Sequence, residues 1–266
     1  MRLDEQYRYL AIMADGELVT DDLRIRISGK STMSLLPDLY TVGIYNLSPA
    51  GLASIKRAEK VSVIGKRGSV LCECKPSDIL HCADGTKHIT TLMMIDGEAF
   101  WDSTVSLSLR SGTDYITALR TILAHSTHRS PLASVSNINQ RMLRGLSCYG
   151  RTAGYVDKIA RTLHCRAYSF RDTVNLAMLG EGTAETVISE ADMLEEPTSA
   201  NGVITICTDV VGLMVGRRVT VDHPDVGGIW RLIAQQIDAD NLTGSWRSDL
   251  VLIDERKLFS GWEGGL

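Results

Sequence analysis

Two stretches of this chain, residues 60–96 and 218–254, run through the same order of strand-like segments and turns without a gap. KVSV (60–63) falls on RVTV (218–221), Leu71 on Ile229, Ile79 on Ile237, and TLMMID (91–96) on DLVLID (249–254). Identities are few, yet strand order, turn position and the closing apolar-Asp pair agree together. A repeated unit of short strands has to bury its apolar face the same way twice. The pattern therefore predicts two similar β-barrel lobes bracketing the sequence between them. With two such lobes per chain, three chains would present six near-equivalent positions around an axis.

The hydropathy alternation fills in the elements. Tyr7–Met13 and Leu18–Ile27 flank Asp15-Gly16, a hairpin-turn dipeptide, and Leu23, Ile25 and Ile27 alternate with arginines. Thr41–Asn46 reads as a strand, and Ser48-Pro49 as the N-cap and first position of a helix reaching about Arg57. Strands follow at Val61–Ile64, Val70–Cys74, His88–Ile95 and Thr104–Leu109. Gly112-Thr113 then caps a helix with Tyr115, Ile116, Leu119, Ile122 and Leu123 on one face. Residues 126–147 are rich in Ser, Asn and Arg and read as a loop. A second helix covers Thr152–Leu163, and residues 164–179 form a strand pair turning near Arg171-Asp172. The last third returns to strands at Gly202–Cys207, Arg218–Asp222, Gly228–Gln236 and Arg247–Ile253, with turns at His223-Pro224-Asp225 and Asn241–Gly244. The class is α+β, mostly β. Residues 1–110 form an N-terminal barrel lobe, 111–182 a small α/β insert with two helices, 183–256 a C-terminal barrel lobe, and 257–266 a tail.

Composition narrows the function. Hydrophobic residues make up 44% and charged residues 23%, so the chain can fill a core rather than stay disordered. The net charge of −4 lacks the basic excess of a dedicated nucleic-acid binder. No apolar run reaches the roughly 20 residues of a membrane span. Met1–Asp4 opens without the apolar core of a secretory signal, so the chain is expected in the cytoplasm unless a larger particle carries it out. Six cysteines lack a disulfide-framework spacing and are expected as free thiols.

No constellation of catalytic residues stands out. GLSCYG (145–150) is one residue too long for a nucleophile elbow, and Gly180-Glu181-Gly182 lacks the Lys-Ser/Thr of a phosphate loop. Cys72, Cys74, His81, Cys82 and His88 are zinc-ligand types at an unfamiliar spacing; core-facing thiols explain them as well. Glu195-Glu196 and Asp222-His223-Pro224-Asp225 read as solvated turns. The expectation is no catalytic residue, no cofactor and no metal.

Other residues point outward. Arg217-Arg218 and Lys66-Arg67 either aid solubility or meet acidic patches on ring neighbours. In the tail KLFSGWEGGL, Leu258, Phe259 and Trp262 are candidate interface anchors that dock on a neighbouring subunit or pack back onto their own lobe. Cys148, read as part of the loop stretch, is the candidate for an intersubunit cross-link once a particle leaves a reducing cytoplasm.

Three segments also resemble the phage baseplate hub family, which includes the T4 hub protein and the late-control D-type proteins. They are YTVGIYNLSPAGLASIKRAEKVSVIGKRG (40–68), IDGEAFWDSTVSLSLRSGTDYITALRTIL (95–123), and LEEPTSANGVITICTDVVGLMVGRRVTV (194–221) continued by GGIWRLIAQQIDADNLTGSWRSDLVLID (227–254). The similarity runs in order along nearly the whole chain. It departs at GKRGSVLCECKPSD (65–78), which lacks the family's aromatic-glycine pattern and leaves open the strand pairing of the first barrel. The resemblance implies a homotrimeric ring at the distal end of the tail tube, adapting six-fold tube symmetry to a three-fold spike. Its implied partners are further copies of itself, the tail spike, tube or tube-initiator proteins and the tape measure, with DNA passing transiently through the lumen. The implied location is the virion tail baseplate, after assembly in the host cytoplasm. Alternatives are a hexameric tube-initiator or tube-like ring protein, and a tail-associated peptidoglycan hydrolase.

Overall fold

The fold is given by a computed structural model that describes residues 8–84, 87–133, 138, 140–182 and 184–259. The first strands are β1 (Leu10–Ala14), β2 (Glu17–Thr20), β3 (Ile25–Thr32) and β4 (Asp38–Tyr45), followed by helix α1 (Pro49–Arg57). Next come β5 (Val61–Gly65), β6 (Val70–Cys74), β7 (Pro76–Asp84), β8 (Lys87–Asp96), the short α2 (Glu98–Trp101) and β9 (Thr104–Leu109). The middle holds α3 (Tyr115–His125), β10 (Leu146–Arg151), α4 (Thr152–Thr162), β11 (Arg166–Phe170) and β12 (Thr173–Ala177). The remainder is β13 (Ala184–Ser189), β14 (Thr198–Ala200), β15 (Val203–Thr208), β16 (Arg218–Asp222), β17 (Gly228–Asp240), β18 (Trp246–Ile253) and α5 (Glu255–Phe259). The protein is mostly β, with few helices.

The chain divides into two compact units. One gathers Met1–Ser31, Asp38–Asp96 and Ala184–Ile253; the other gathers Thr32–Pro37, Gly97–Thr183 and Asp254–Leu266.

In the first unit a long sheet runs β14-β15-β18-β17-β3-β4-β8-β7, with β16 beside β17 and β13 parallel to β16. A smaller sheet runs β2-β1-β5-β6. The long order contains one motif twice: β14-β15-β18-β17 repeats β3-β4-β8-β7. The repeat extends to irregularities, since β7 shifts register against β8 between Pro76 and Asp78 and β17 shifts against β18 between Leu232 and Ala234. The ungapped sequence alignment is nevertheless out by two residues on β6 and β7. The β7–β8 hairpin closes with Asp84 opposite Lys87, whereas Asp240 N donates to Ser245 O in the longer β17–β18 turn. Asp84 therefore occupies the position of Asp240, and Cys82 that of Asp238. Alignment of letters missed this because a two-residue shift preserves the in/out parity of a strand.

Strict alternation builds the core of this unit. Ile25 and Ile27 on β3, Tyr40, Val42 and Ile44 on β4, and Leu92 and Met94 on β8 face inward with Leu10, Ile12, Val61 and Val63. Ile237 and Ala239 of β17 join the same cluster, so residues from both ends of the sequence fill one core. Gly29 is required there, because a Cβ would overlap the Tyr40 ring and the Leu39 carbonyl. Burial pushes the Tyr40 phenol far above its ordinary pKa. Asp15 and Gly16 both take positive φ, as a type I′ turn between β1 and β2 demands. Ser48 caps α1 by accepting from Gly51 N at 3.1 Å, with Pro49 at its start.

The second unit packs α3 and α4 with two hairpin-like pairs, β9–β10 and β11–β12. Ile116, Leu119, Ile122 and Leu123 of α3 meet Val156, Ile159 and Ala160 of α4 around Phe100. Arg171 and Asp172 both have positive φ, closing β11–β12 by another I′-type turn.

Several local expectations are corrected. Asp114, rather than Gly112-Thr113, caps α3, its carboxylate accepting from Thr117 N at 2.8 Å. The run Leu18–Ile27 is interrupted after Thr20, where Asp21-Asp22 disfavours a strand. β7 and β13 were not foreseen: β7 opens with a proline, suited to the first residue of an edge strand, and β13 pairs in parallel with a strand distant in sequence.

Candidate functional site

The two copies of the strand motif meet at one place inside the chain. There β17 lies beside β3. Arg24 clasps Asp240 through two nitrogens, Nη2 at 2.7 Å and Nε at 3.1 Å from Oδ2, and its guanidinium sits 4.6 Å over the Tyr45 ring. The Asp240 side chain is 4% exposed and also accepts from the backbone amides of Leu242 and Thr243. Burial pushes the Asp240 carboxyl upward, but the Arg24 and amide hydrogen bonds outweigh it and hold the group below the usual carboxylate range. Asn241 completes the clasp: its side chain accepts from Ile25 N and donates to Leu23 O. A second pair, Arg26–Asp238 at 3.3 Å, lies nearer solvent. Since 24 meets 240 and 26 meets 238, the two strands run antiparallel.

The main run of the long sheet ends in β7 and β14, and its side branch through β16 ends in β13. On β7, Leu80 is 50% exposed, and Cys82 is the exposed cysteine among the six. His81 and His88 stack beside it with ring centroids 5.7 Å apart. At the other edge Thr198, Ser199 and Ala200 are all exposed, and Leu194 just before them is 52% exposed. Leu194 N donates to Cys207 O, as Arg26 stands opposite Gly43 in the other motif. Leu194 thus holds the position that Arg26 holds at the internal junction.

The sequence candidates are scattered. Cys148 is not on an exposed loop; it lies on β10 opposite Leu107, is 2% exposed, and burial pushes its thiol up against the pull of Lys158. Its surroundings were misread because the loop ends at Leu146, where β10 begins. Arg217 is exposed, with Nε 3.5 Å from Met214 Sδ, and Arg218 is half-buried on β16 opposite Arg231. Leu258 is half-buried and Phe259 is already 6% exposed within the chain, while Trp262 lies outside the described residues. Cys72 and Cys74 face the core, apart from exposed Cys82, and Cys72 Sγ rests 3.8 Å from Met94 Sδ. Among the described residues no three His, Cys, Asp or Glu side chains gather as a metal site, and no helix is long and apolar enough to cross a membrane. In GLSCYG, Ser147 Oγ faces Ser108 Oγ at 3.3 Å across the β9–β10 pair.

Sequence reasoning also missed a cavity of about 400 Å³ in the second unit, lined by Met33, Leu35, Leu36, Trp101 and Arg166 among others. Arg151 lies 5.1 Å over the Trp101 ring at its wall. Nothing in the local sequence marks it, because its lining comes from four separated stretches.

No protein-family model matches the sequence, and no curated protein matches it. Solved structures do. A tail protein from Neisseria meningitidis superposes with a TM-score of 0.67 at 11% identity, over 96% of this chain and 99% of that one. The 43 kDa tail protein of prophage MuSo2 from Shewanella oneidensis gives 0.67 at 8% identity, over 93% and 98%. The fold is that of bacteriophage tail proteins. A type VI secretion component of E. coli, itself described as similar to two T4 tail proteins, follows at 0.57 and 10% identity, over 91% of this chain and 76% of that one.

Proposed function

We propose that this chain is a structural subunit of a phage or phage-like tail baseplate, a hub that forms a homotrimeric ring of pseudo-six-fold symmetry. The observation that carries this reading is the strand motif occurring twice, side by side, in one continuous sheet. A chain holding two equivalent motifs gives six positions from three copies, which matches a six-fold tube above and a three-fold spike below. The partners in this reading are the spike, the tube or tube-initiator proteins and the tape measure, with DNA crossing the lumen. Leu258, Trp262 and the Arg217-Arg218 pair are contacts to these neighbours. The work done is geometric, and no catalytic step is assigned to it.

Light scattering of the purified chain over a concentration range, with and without the spike protein, tests the reading. A mass of three chains is expected. A stable six-chain particle would instead favour a tube-initiator ring, and a single chain that persists even with the spike would overturn the hub.

A further inference from the structure

The cavity of about 400 Å³ in the second unit has walls of two kinds. Leu35, Leu36 and Trp101 give an apolar lining, with Leu36 55% exposed at it. Arg151 and Arg166 add two exposed guanidinium groups, that of Arg151 stacked over Trp101 at 5.1 Å. The carboxylate in the wall, Asp157, is already held by Arg161 at 2.8 Å. Residues 97–183 carry ten Lys and Arg against six Asp and Glu, although the whole chain is net −4. Such a site favours an occupant that is apolar and acidic together. Gly154 opens it further. It stands in the first turn of α4, where glycine weakens a helix relative to alanine, and an added Cβ would meet nothing within 4 Å. Its missing side chain is room in the cavity.

We propose that Trp262 and Glu263 of a neighbouring copy fill this cavity, the indole against Trp101 and Leu36 and the carboxylate beside Arg151. The proposal rests on the ring reading, which makes Trp262 a contact to neighbours, and names the surface that receives it. The segment fits in chemistry, since Trp262-Glu263 sets an indole next to a carboxylate. Gly261 and Gly264 flank the pair, and their lack of side chains lets the backbone lie close to a rim. Tryptophan and arginine are the residue types that carry most binding energy where two proteins meet. The segment also fits in its attachment. Phe259 is buried in its own chain, and Glu255 Oε2 accepts from Gly180 N at 3.1 Å, so α5 is fixed where the segment begins. α5 supplies none of the cavity's lining. Only Ser260 and Gly261 precede Trp262, a reach of about 10 Å from Phe259, so little chain has to be ordered on docking.

Leu36→Cys places a thiol at the cavity and Gly264→Cys one beside the indole, each in a Cys82→Ser chain so that the exposed native thiol does not compete. Co-expressing the two full-length chains, each with one of these changes, allows a 36–264 disulfide only between copies. Mild oxidation should give linked pairs of chains, with the bond mapped by mass spectrometry. Adding Trp262→Ala, or Gly154→Phe to fill the cavity from within, should abolish the bond while far-UV circular dichroism stays that of the parent. A bond that persists in either variant, or that never forms in the parent, would overturn the docking. Light scattering of the same samples before oxidation separates the two ideas. Three-chain particles without a 36–264 bond would overturn this docking and leave the ring standing. Single chains at every concentration, with spike present, would overturn both.

Discussion

Replacing Asp240 by alanine removes a side chain that both ties the two strand motifs together and caps the turn after β17. The magnitude follows from its surroundings. Breaking a fully buried ion pair costs about 3–5 kcal/mol, and an exposed pair contributes about 0–1 kcal/mol. Asp240 is buried at 4% exposure, but the Arg24 side chain is 31% exposed and can be rehydrated once its partner is gone. The pair thus lies between those limits. The two amides of Leu242 and Thr243 lose their acceptor as well, at a cost of about 1 kcal/mol, as for a lost helix cap. Together these give a destabilisation of about 2–4 kcal/mol, read as a lower urea midpoint by far-UV circular dichroism at pH 7.

Acid supplies the control. The Asp240 carboxyl titrates lower in the folded chain than in the unfolded one. Its contribution is therefore complete above the unfolded value of about 3.9 and is lost as pH falls through the folded value. The gap between wild type and Asp240→Ala should be constant around neutrality and narrow below about pH 4. A difference under about 0.5 kcal/mol at pH 7, the range of ordinary surface changes, would refute the clasp. So would a gap that stays constant down to pH 3.

Two smaller predictions follow from packing. Gly29→Ala should lower stability by about 1–3 kcal/mol in thermal unfolding, because its methyl group enters the Tyr40 ring, whereas Gly43→Ala meets open space and should be nearly neutral. Native protein should take up no more than one equivalent of a thiol reagent, at Cys82, with the other five cysteines labelled only on unfolding. Raising the pH to 9 should not release them, since burial pushes Cys165 up to about 12 and Cys207 up to about 11.

What the sequence made legible was local in origin. The turn at Arg171-Asp172 and the Ser48-Pro49 helix start are set by residues within a few positions, and both appear where the letters put them. The doubled strand order was legible too, because alternation survives divergence even where identities do not. Strands escaped reading where local alternation is weak or the partner lies far away. β13 gains its place from a parallel neighbour, and β7 carries PSDILHCAD, with acidic and thiol residues where an interior strand would show alternation.

The same distinction explains why the clasp between the two strand motifs was missed. Arg24, Asp240 and Asn241 look like ordinary surface and turn letters until the sheet brings positions 24 and 240 together. Leu194 and Cys82 look like stray hydrophobes until the doubled motif shows which positions they share with Arg26 and Asp238. Of the anchor candidates read from the sequence, Leu258 and Arg218 are half-buried, Arg217 is exposed and Phe259 is buried at 6% exposure. In a repeat protein an edge residue is better judged against its counterpart inside the chain. At Leu194 that comparison sets an aliphatic side chain, 52% exposed, where the internal junction has an ion-paired arginine.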